Sequence, residues 1–246
     1  MRVRGYAEGM PCWAELTTTD PSGTAGFYRE LFGWRHDPDE GVFRLDGLAV
    51  AGVVAGPAPA PWLTYFACDN VEALAGLATD AGGQVRRRAA RAGRGCAVVL
   101  TDPGGAPFGA WQRAGFAGAQ LGSQPGTVCW SELATHDIDR CTAFYGKVFG
   151  WSTQPGELGA EWGHIELLLI DRLVGSVYEV PAKVPAQWRT TIEVADLDVV
   201  RQRCRDRNGR VALEPVELGI GRYARFVDPS GAGFGVVELI DELRSS

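Results

Sequence analysis

A segment of 23 residues occurs twice in the chain, at 12–34 and again 117 positions later at 129–151. Eleven of the 23 aligned pairs are identical, including the opening CysTrp, the central PheTyr and the closing PheGlyTrp. A duplication of this length predicts two tandem copies of one folding unit. The 246 residues are therefore expected to divide into a first domain at 1–113, a linker at 114–127 and a second domain at 128–246.

The composition narrows the class of protein. Apolar residues make up 46% of the chain, so each half is expected to bury a core of its own. The net charge of −6 and the lack of a basic stripe argue against nucleic-acid binding. No apolar stretch approaches the roughly 20 residues that span a bilayer, and no signal-peptide pattern opens the chain. The sequence therefore predicts a cytoplasmic protein with neither nucleic acid nor membrane as a partner.

Strand, helix and turn signals recur at matching places in the two halves. Each copy opens with an alternating strand, 12–18 and 129–135, and continues into a helix that begins after an aspartate. AspProGlyGly at 102–105 and AspProSerGly at 228–231 mark tight turns between paired strands. With the segments between them, each half shows the order strand, helix and three strands twice. The chain is thus predicted to contain four βαβββ modules.

These features resemble the vicinal oxygen chelate superfamily, which includes glyoxalase I, bleomycin-resistance proteins and extradiol dioxygenases. The resemblance rests on the Asp–x6–PheTyr–x3–PheGly–Trp segment, the AspProxGly hairpins and the paired modules, and it covers nearly the whole chain. It is strongest to a tandem two-domain subgroup described as hydroxylase-like or glyoxalase-like. It implies an α+β fold of two tandem domains, each of paired βαβββ modules forming a cupped mixed sheet with helices on the outside.

The resemblance also implies where a metal would be held, by side chains of the first and last strands of the modules. The matching positions of the two halves are Trp13 and Trp130, Leu63 and Arg189, and Gln112 and Glu238. Trp, Leu and Arg do not ligate divalent cations, and one glutamate does not make a metal site. No metal and no other cofactor is therefore expected.

Alternation along these strands predicts which side chains line each cup, because residues i and i+2 share a face. The first cup is expected to be aromatic, with ligand-binding residues Trp13, Tyr65, Phe108 and Gln112 and one candidate catalytic acid, Glu15. The second is expected to be polar, with candidate catalytic residues Glu132, Glu193 and Glu238 and ligand-binding residues Trp130, Arg189, Phe234 and His164. Crowded carboxyl groups in a partly apolar cup have raised pKa values suited to acid–base work.

Plainer roles are open for several of these residues. Glu15 and Glu132 recur at equivalent positions, which also suits a bond to the backbone or to an arginine. Trp13 and Trp130 fit core filling as well as stacking on a ligand. Tyr65 either donates a proton or closes the cup. His164 is more typical of a structural or surface residue than of a catalyst.

Three functions are compatible with this sequence. The first is a metal-independent enzyme that catalyses isomerisation, cyclisation, hydration or elimination by acid–base chemistry. Its substrate would be a bulky aromatic or polyketide-like metabolite of bacterial secondary metabolism. The second is a protein that binds and sequesters an antibiotic or metabolite, and the third is a metal-dependent glyoxalase or dioxygenase. The clustered acids of the second cup favour the first. The partner is expected to be a small aromatic molecule, and the chain a monomer or homodimer, because two fused copies supply the pairing that single-domain members obtain by dimerising.

Overall fold

A computed structural model describes residues 1–91, 93–156 and 163–244. The first half contains β1 (Pro11–Thr18), α1 (Pro21–Phe32), β2 (Arg35–Asp37), β3 (Val42–Leu45), β4 (Leu48–Ala55), β5 (Leu63–Ala67), α2 (Val71–Asp80), β6 (Gln84–Arg91), β7 (Gly95–Thr101) and β8 (Pro107–Arg113). The second contains β9 (Val128–Thr135), α3 (Ile138–Phe149), β10 (Ser152–Pro155), β11 (Ile165–Leu169), β12 (Arg172–Glu179), β13 (Gln187–Glu193), α4 (Leu197–Asp206), β14 (Arg210–Leu218), β15 (Gly221–Val227), β16 (Gly233–Leu239) and α5 (Asp241–Arg244).

Each half forms one eight-stranded mixed sheet. The strand order is β2-β3-β4-β1-β5-β8-β7-β6 in the first sheet and β10-β11-β12-β9-β13-β16-β15-β14 in the second. The first strands of the two modules are antiparallel neighbours at the centre, β1 with β5 and β9 with β13. Each is also paired in parallel with the last strand of a module. The predicted α+β fold of two tandem domains built from paired βαβββ modules is confirmed.

The first helix of each half begins and ends where the sequence predicts. The Asp20 side chain accepts a hydrogen bond from the N–H of Gly23, and Asp137 does the same for Arg140. Both helices end at a glycine in the left-handed conformation, with φ of 75° and 72°. None of the helices in the described ranges is long and apolar enough to cross a membrane.

The two faces of each sheet have different neighbours. We call the face of the first sheet that carries Glu15 and Tyr65 the first cup, and the face of the second sheet that carries Glu132 and Arg189 the second cup. The helices pack on the opposite faces, where Leu16 of β1 lies in a core with the aromatic side chains of α1. The helices therefore lie outside both cups.

The helix-bearing faces of the two sheets pack against each other. Helix α1 contacts α4, α2 contacts α3, and β5 contacts β13. One core combines Tyr28 and Trp34 of the first half with Phe226 and Phe234 of the second. The other core is formed in the same way from α2, β8, α3 and β13. The two largest cores are therefore shared by the halves, whereas a third, around Trp13, Tyr65 and Trp111, lies within the first half alone.

A buried chain of hydrogen bonds crosses this junction. The indole N–H of Trp62 donates to Tyr28 Oη at 3.1 Å, and Tyr28 donates to Asp228 Oδ2 at 3.1 Å. Asp228 opens the AspPro turn of the second half and also accepts the backbone N–H of Ala232 at 2.9 Å. The turn of one half is thereby tied to the first helix of the other.

The duplication produces the same chain a second time. Trp188 donates to Tyr145 at 2.8 Å, and Tyr145 donates to Asp102 Oδ2 at 3.1 Å. Burial raises the pKa of both tyrosines well above its usual value, so that their hydroxyls stay protonated as donors. Burial also raises the pKa of Asp102, against the opposing effect of its hydrogen bonds. The two halves are joined by two equivalent, buried polar links.

Replacing Tyr28 or Tyr145 by Phe is expected to lower the free energy of unfolding by about 1–3 kcal/mol, because each change leaves a buried indole N–H and a carboxylate oxygen without their partner. Denaturant unfolding followed by Trp fluorescence measures the loss. Tyr6→Phe is the control, since it removes a hydroxyl bond to the carbonyl of Ala119 within the first half. Equal stability of Tyr28→Phe and the parent protein would contradict the role given to these links.

Candidate functional site

The first cup is filled by aromatic side chains of its own half. Trp13, 8% exposed, packs edge-on against Phe116 with ring centroids 5.0 Å apart. Trp111 also meets Phe116 edge-on and donates its indole N–H to the Phe116 carbonyl at 2.8 Å. The Arg94 guanidinium lies 4.2 Å from the centre of the Phe116 ring. Phe116, from the segment that follows β8, thus covers the cup.

A tyrosine and a glutamate meet beneath this cover. Tyr65 donates its hydroxyl to Glu15 Oε1 at 3.2 Å, and both side chains are buried. Gly109 of β8 pairs with Tyr65, and a Cβ there would lie 2.1 Å from the tyrosine ring. The ring therefore takes the space that a side chain of β8 would need. Glu15 accepts a hydrogen bond in a closed, aromatic environment.

The second cup carries a row of polar residues across four neighbouring strands. Glu166 of β11 pairs with Ser176 of β12, which pairs with Glu132 of β9, which pairs with Arg189 of β13. Directly paired residues share a face of a sheet, so these four side chains lie on the cup side. Glu132 and Arg189 are 8% and 7% exposed. Glu193 follows on the same face of β13 and is also buried.

Glu132 is the carboxyl group at the centre of this row. Tyr223 donates to Glu132 Oε2 at 3.3 Å. Burial raises the pKa of Glu132, and the positive charges of Arg189 and Arg225 together with the Tyr223 bond only partly oppose this. Burial, and then repulsion from Arg225, lowers the pKa of Arg189 to about 10, so its guanidinium is charged at neutral pH. The positive charges of two arginines therefore act on one buried carboxyl group.

The Tyr178 ring lies against Arg189. The guanidinium donates from Nη1 to the Tyr178 hydroxyl, and its carbon lies 5.3 Å from the centre of the Tyr178 ring. His164 stacks on the same ring, with centroids 4.6 Å apart and planes inclined by 20°. Burial lowers the pKa of His164, so the imidazole is neutral at neutral pH. His164, predicted to bind ligand, thus lies against Tyr178, the residue that contacts Arg189.

The equivalent tryptophans of the two cups have different surroundings. Trp130 is half-buried and donates its indole N–H to Ser176 Oγ at 3.1 Å. Trp13 is buried beneath Phe116. Among the predicted ligand-binding residues, the structure therefore pairs Arg189 with Glu132, places Trp130 on the same face of the sheet and leaves Trp13 and Tyr65 in the filled cup.

The predicted cup faces of β8 and β16 are wrong. Phe108 and Phe234, predicted to bind ligand, lie in the cores between the sheets. Gln112, predicted to do the same, accepts the N–H of Val71 at 3.1 Å and so supports the start of α2. The reason is the alternation of β8, in which Gly109, paired with Tyr65, faces the cup and the even-numbered residues face the helices.

Glu238, predicted to be catalytic, is displaced from the second cup for the same reason. Its Oε2 accepts the N–H of Leu197 at the start of α4 at 3.1 Å. The Arg222 guanidinium lies 3.5 Å from the same oxygen. Glu238 is therefore the counterpart of Gln112, and of the three candidate acids of this half the structure keeps Glu132 and Glu193 on the cup side.

Four cup residues were missed by the sequence analysis: Tyr178, Tyr223, Arg225 and Gly235. Gly235 faces the cup, since a Cβ there would lie 2.4 Å from Thr191 Oγ1 and 2.9 Å from Tyr223 Oη. Tyr223 and Arg225 lie on the neighbouring strand with the same alternation. The sequence contains a signal for the correct face, because a glycine and a Phe alternate after each AspPro turn. The Phe marks the face of the strand that packs on the helices, and the glycine marks the cup face.

The side chains at the centre of the cups do not fit a divalent metal. The central positions on the first, fifth and last strands are Trp13, Tyr65 and Gly109 in one half and Trp130, Thr191 and Gly235 in the other. Indole and glycine offer no ligand, and a phenol or a threonine hydroxyl alone does not hold the ion. Within the described ranges no three His, Cys, Asp or Glu side chains are grouped to hold one.

A cleft of about 560 Å³ lies at the junction of the two halves. Its walls include the N-terminal segment, the starts of β1 and β9, and Arg172. The described residues that line it include Arg2 and Arg4 and no carboxylate. The cleft therefore lacks the acid–base groups that the second cup combines.

Comparisons with known proteins agree with this architecture. The Glyoxalase-like domain family matches residues 13–110, and the Bleomycin resistance protein-like N-terminal family matches residues 127–158. CFP32 of Mycobacterium tuberculosis, provisionally named a glyoxylase, is 36% identical over an alignment of 250 residues that covers 95% of this chain and 96% of that protein. The anthracycline biosynthesis protein DauV of a Streptomyces species is 34% identical over 267 residues, with 95% and 94% covered.

A solved structure shows the same fold at much lower identity. The Mn(II)-bound glyoxalase of Novosphingobium aromaticivorans superimposes with a TM-score of 0.66 and 16% identity, over 96% of this chain and 85% of that one. The four modules, the two family matches and the full-length relatives lead to one conclusion. The chain belongs to the vicinal oxygen chelate superfamily, as a tandem two-domain protein of the glyoxalase-like and bleomycin-resistance-like kind.

Proposed function

We propose that the protein is a metal-independent enzyme that acts by acid–base chemistry on a bulky aromatic or polyketide-like metabolite of bacterial secondary metabolism. The observation that carries the proposal is the buried Glu132 carboxyl group, to which Tyr223 donates a hydrogen bond and on which the charges of Arg189 and Arg225 act. DauV, a relative along its whole length, is named for anthracycline biosynthesis, and this supports a role in secondary metabolism.

Glu132 acts as a general base on a carbon–hydrogen bond next to a carbonyl group. A carboxylate whose pKa is raised by burial is a stronger base than glutamate in water, and the charges of Arg189 and Arg225 only partly oppose that rise. The proton moves from carbon to Glu132, and the electron pair moves to the carbonyl oxygen. The negative charge that forms there is stabilised by Arg189 and Arg225.

The fate of the proton on Glu132 then sets the reaction. Return of the proton to a different carbon isomerises the substrate. Loss of a leaving group from the carbon beside the carbanion is an elimination. Attack of the carbanion on a second carbonyl closes a ring, and addition of water across the double bond hydrates it. Isomerisation, elimination and cyclisation share the first proton transfer, and hydration is the elimination of water run in reverse, with Glu132 returning the proton to the carbon next to the carbonyl group.

The second candidate is a binding protein that sequesters an aromatic metabolite. The half-buried Trp130 ring and the match of residues 127–158 to a bleomycin-resistance-like family favour it. Binding of a ligand to such a protein would quench Trp130 fluorescence, and the ligand would be released unchanged. Proton exchange at carbon separates the two candidates, because binding alone does not remove a proton from carbon.

Replacing Glu132 by Gln is expected to reduce turnover by about 10²- to 10⁴-fold, the usual contribution of a positioned general base. The measurement is NMR of deuterium exchange into a panel of aryl ketones in D₂O. Glu15→Gln is the matched control, because Glu15 accepts the same kind of tyrosine bond in the filled cup and should change little. Exchange that is equally fast in Glu132→Gln would refute the role of Glu132, and no exchange with any bound ketone would favour sequestration.

The pH dependence of the reaction has a defined sign. Because burial raises the pKa of Glu132, its carboxylate forms at higher pH than that of free glutamate, and kcat/KM should rise as pH passes through this raised value. The profile of kcat/KM against pH in the parent protein and in Glu132→Gln measures this limb. If kcat/KM rises over the same pH range in Glu132→Gln, the titrating group is a residue other than Glu132.

A further inference from the structure

Two buried polar atoms of β13 face the second cup without a hydrogen-bond partner. They are Nε of Arg189 and Oγ1 of Thr191. The residues are 7% and 2% exposed, and they lie at i and i+2 on the same face of the strand. Buried donors are nearly always satisfied in folded proteins, so an unsatisfied pair in a candidate site indicates a missing acceptor.

A side chain of the protein already takes one donor of this guanidinium group. The Tyr178 hydroxyl accepts from Arg189 Nη1, while the Tyr178 ring stacks on the imidazole of His164. Tyr178 lies near the end of β12 and is only half-buried, so its side chain can leave without disturbing either core. The arrangement shows a phenol held by its oxygen on Arg189 and by its face on His164.

We propose that Tyr178 occupies the site of a hydroxyl-bearing aromatic ligand, which replaces it with its ring on His164 and its oxygen on Arg189 and Thr191. The inference rests on the proposed function in placing the ligand in the second cup, and it adds the class of ligand and the residue that competes with it. The missing acceptor for the two unpartnered atoms of β13 is the ligand's oxygen.

The first half supplies a natural comparison. Leu63 and Tyr65 occupy the strand positions equivalent to Arg189 and Thr191, as their pairing with Glu15 and Trp13 shows. A leucine offers no donor, and the Tyr65 hydroxyl is already engaged with Glu15. The recognition of a hydroxyl-bearing ring is therefore assigned to the second cup alone.

The charges around the site favour a hydroxyl group over a carboxylate on the ligand. Arg189 and Arg225 attract a partly negative oxygen. Glu132, Glu166 and Glu193 lie on the same face and would repel a second full negative charge. A phenol, whose oxygen accepts hydrogen bonds without carrying a full charge, suits this balance.

The test uses 2-naphthol as the probe and naphthalene, which lacks the oxygen, as the matched ligand. Tyr178→Phe removes the hydroxyl that competes for Arg189 but keeps the ring that stacks on His164. This variant is expected to bind 2-naphthol about tenfold more tightly than the parent protein, since a hydrogen bond to a charged group is worth at least that factor. Naphthalene, which has no oxygen to accept from Arg189 and Thr191, should bind more weakly than 2-naphthol to both proteins. Isothermal titration calorimetry and quenching of Trp fluorescence measure the affinities.

Two further variants separate recognition from folding. Thr191→Val removes an unpartnered buried hydroxyl, so it should leave the unfolding midpoint unchanged or higher while it weakens 2-naphthol binding. Tyr65→Phe, in the first cup, should not change the affinity. Binding of 2-naphthol to Tyr178→Phe that equals or falls below that of the parent protein would overturn the proposal. Glu132→Gln should still bind 2-naphthol, so a failure of turnover and a failure of recognition are told apart.

Discussion

The structure depends on two buried Trp–Tyr–Asp chains that join the halves. In each, a tyrosine of a first helix donates to the aspartate that opens a turn in the other half, as Tyr28 does to Asp228 and Tyr145 to Asp102. The helix-bearing face of each sheet is apolar and must be covered, and here the other half covers it. Because the helix-bearing faces are covered at this junction, the cups lie on the remaining faces, and the first of them is filled by its own aromatic side chains. The fold thus places the core that stabilises it at the centre and the cups on its outer faces.

Duplication produced two cups, and their side chains have since diverged. In the first cup, Phe116 and neighbouring aromatic rings fill the space, and the Glu15–Tyr65 hydrogen bond is buried. In the second, Arg189 stands where the first half has Leu63, and Tyr223 takes over the bond to the glutamate from a different strand. The glutamate–tyrosine bond is common to both cups, but only the second places it among arginines. We infer that the first half supports the fold and the second carries the chemistry.

Much of this could be predicted from the sequence because the signals are local. The repeated segment, the helix-capping aspartates and the AspPro turns predicted the modules, and alternation along β9 and β13 correctly placed Glu132 beside Arg189. The face of β16 was predicted wrongly, since its apolar residues suit a cup as well as a core, and the error carried Glu238 into the wrong site. Contacts between halves, such as Tyr28 with Asp228, are 200 positions apart in sequence and leave no local pattern. The same is true of Tyr178 on Arg189, which depends on how three strands align.

Native mass spectrometry of the purified protein, compared with the mass of the denatured chain, tests most directly whether the second cup works without a metal. The cup side chains around Glu132 offer charge and hydrogen bonds where metal-binding relatives would need ligands. The predicted result is a native mass equal to that of the chain, alone or with an organic ligand. A retained mass of one divalent metal per chain would contradict a metal-independent reaction at Glu132.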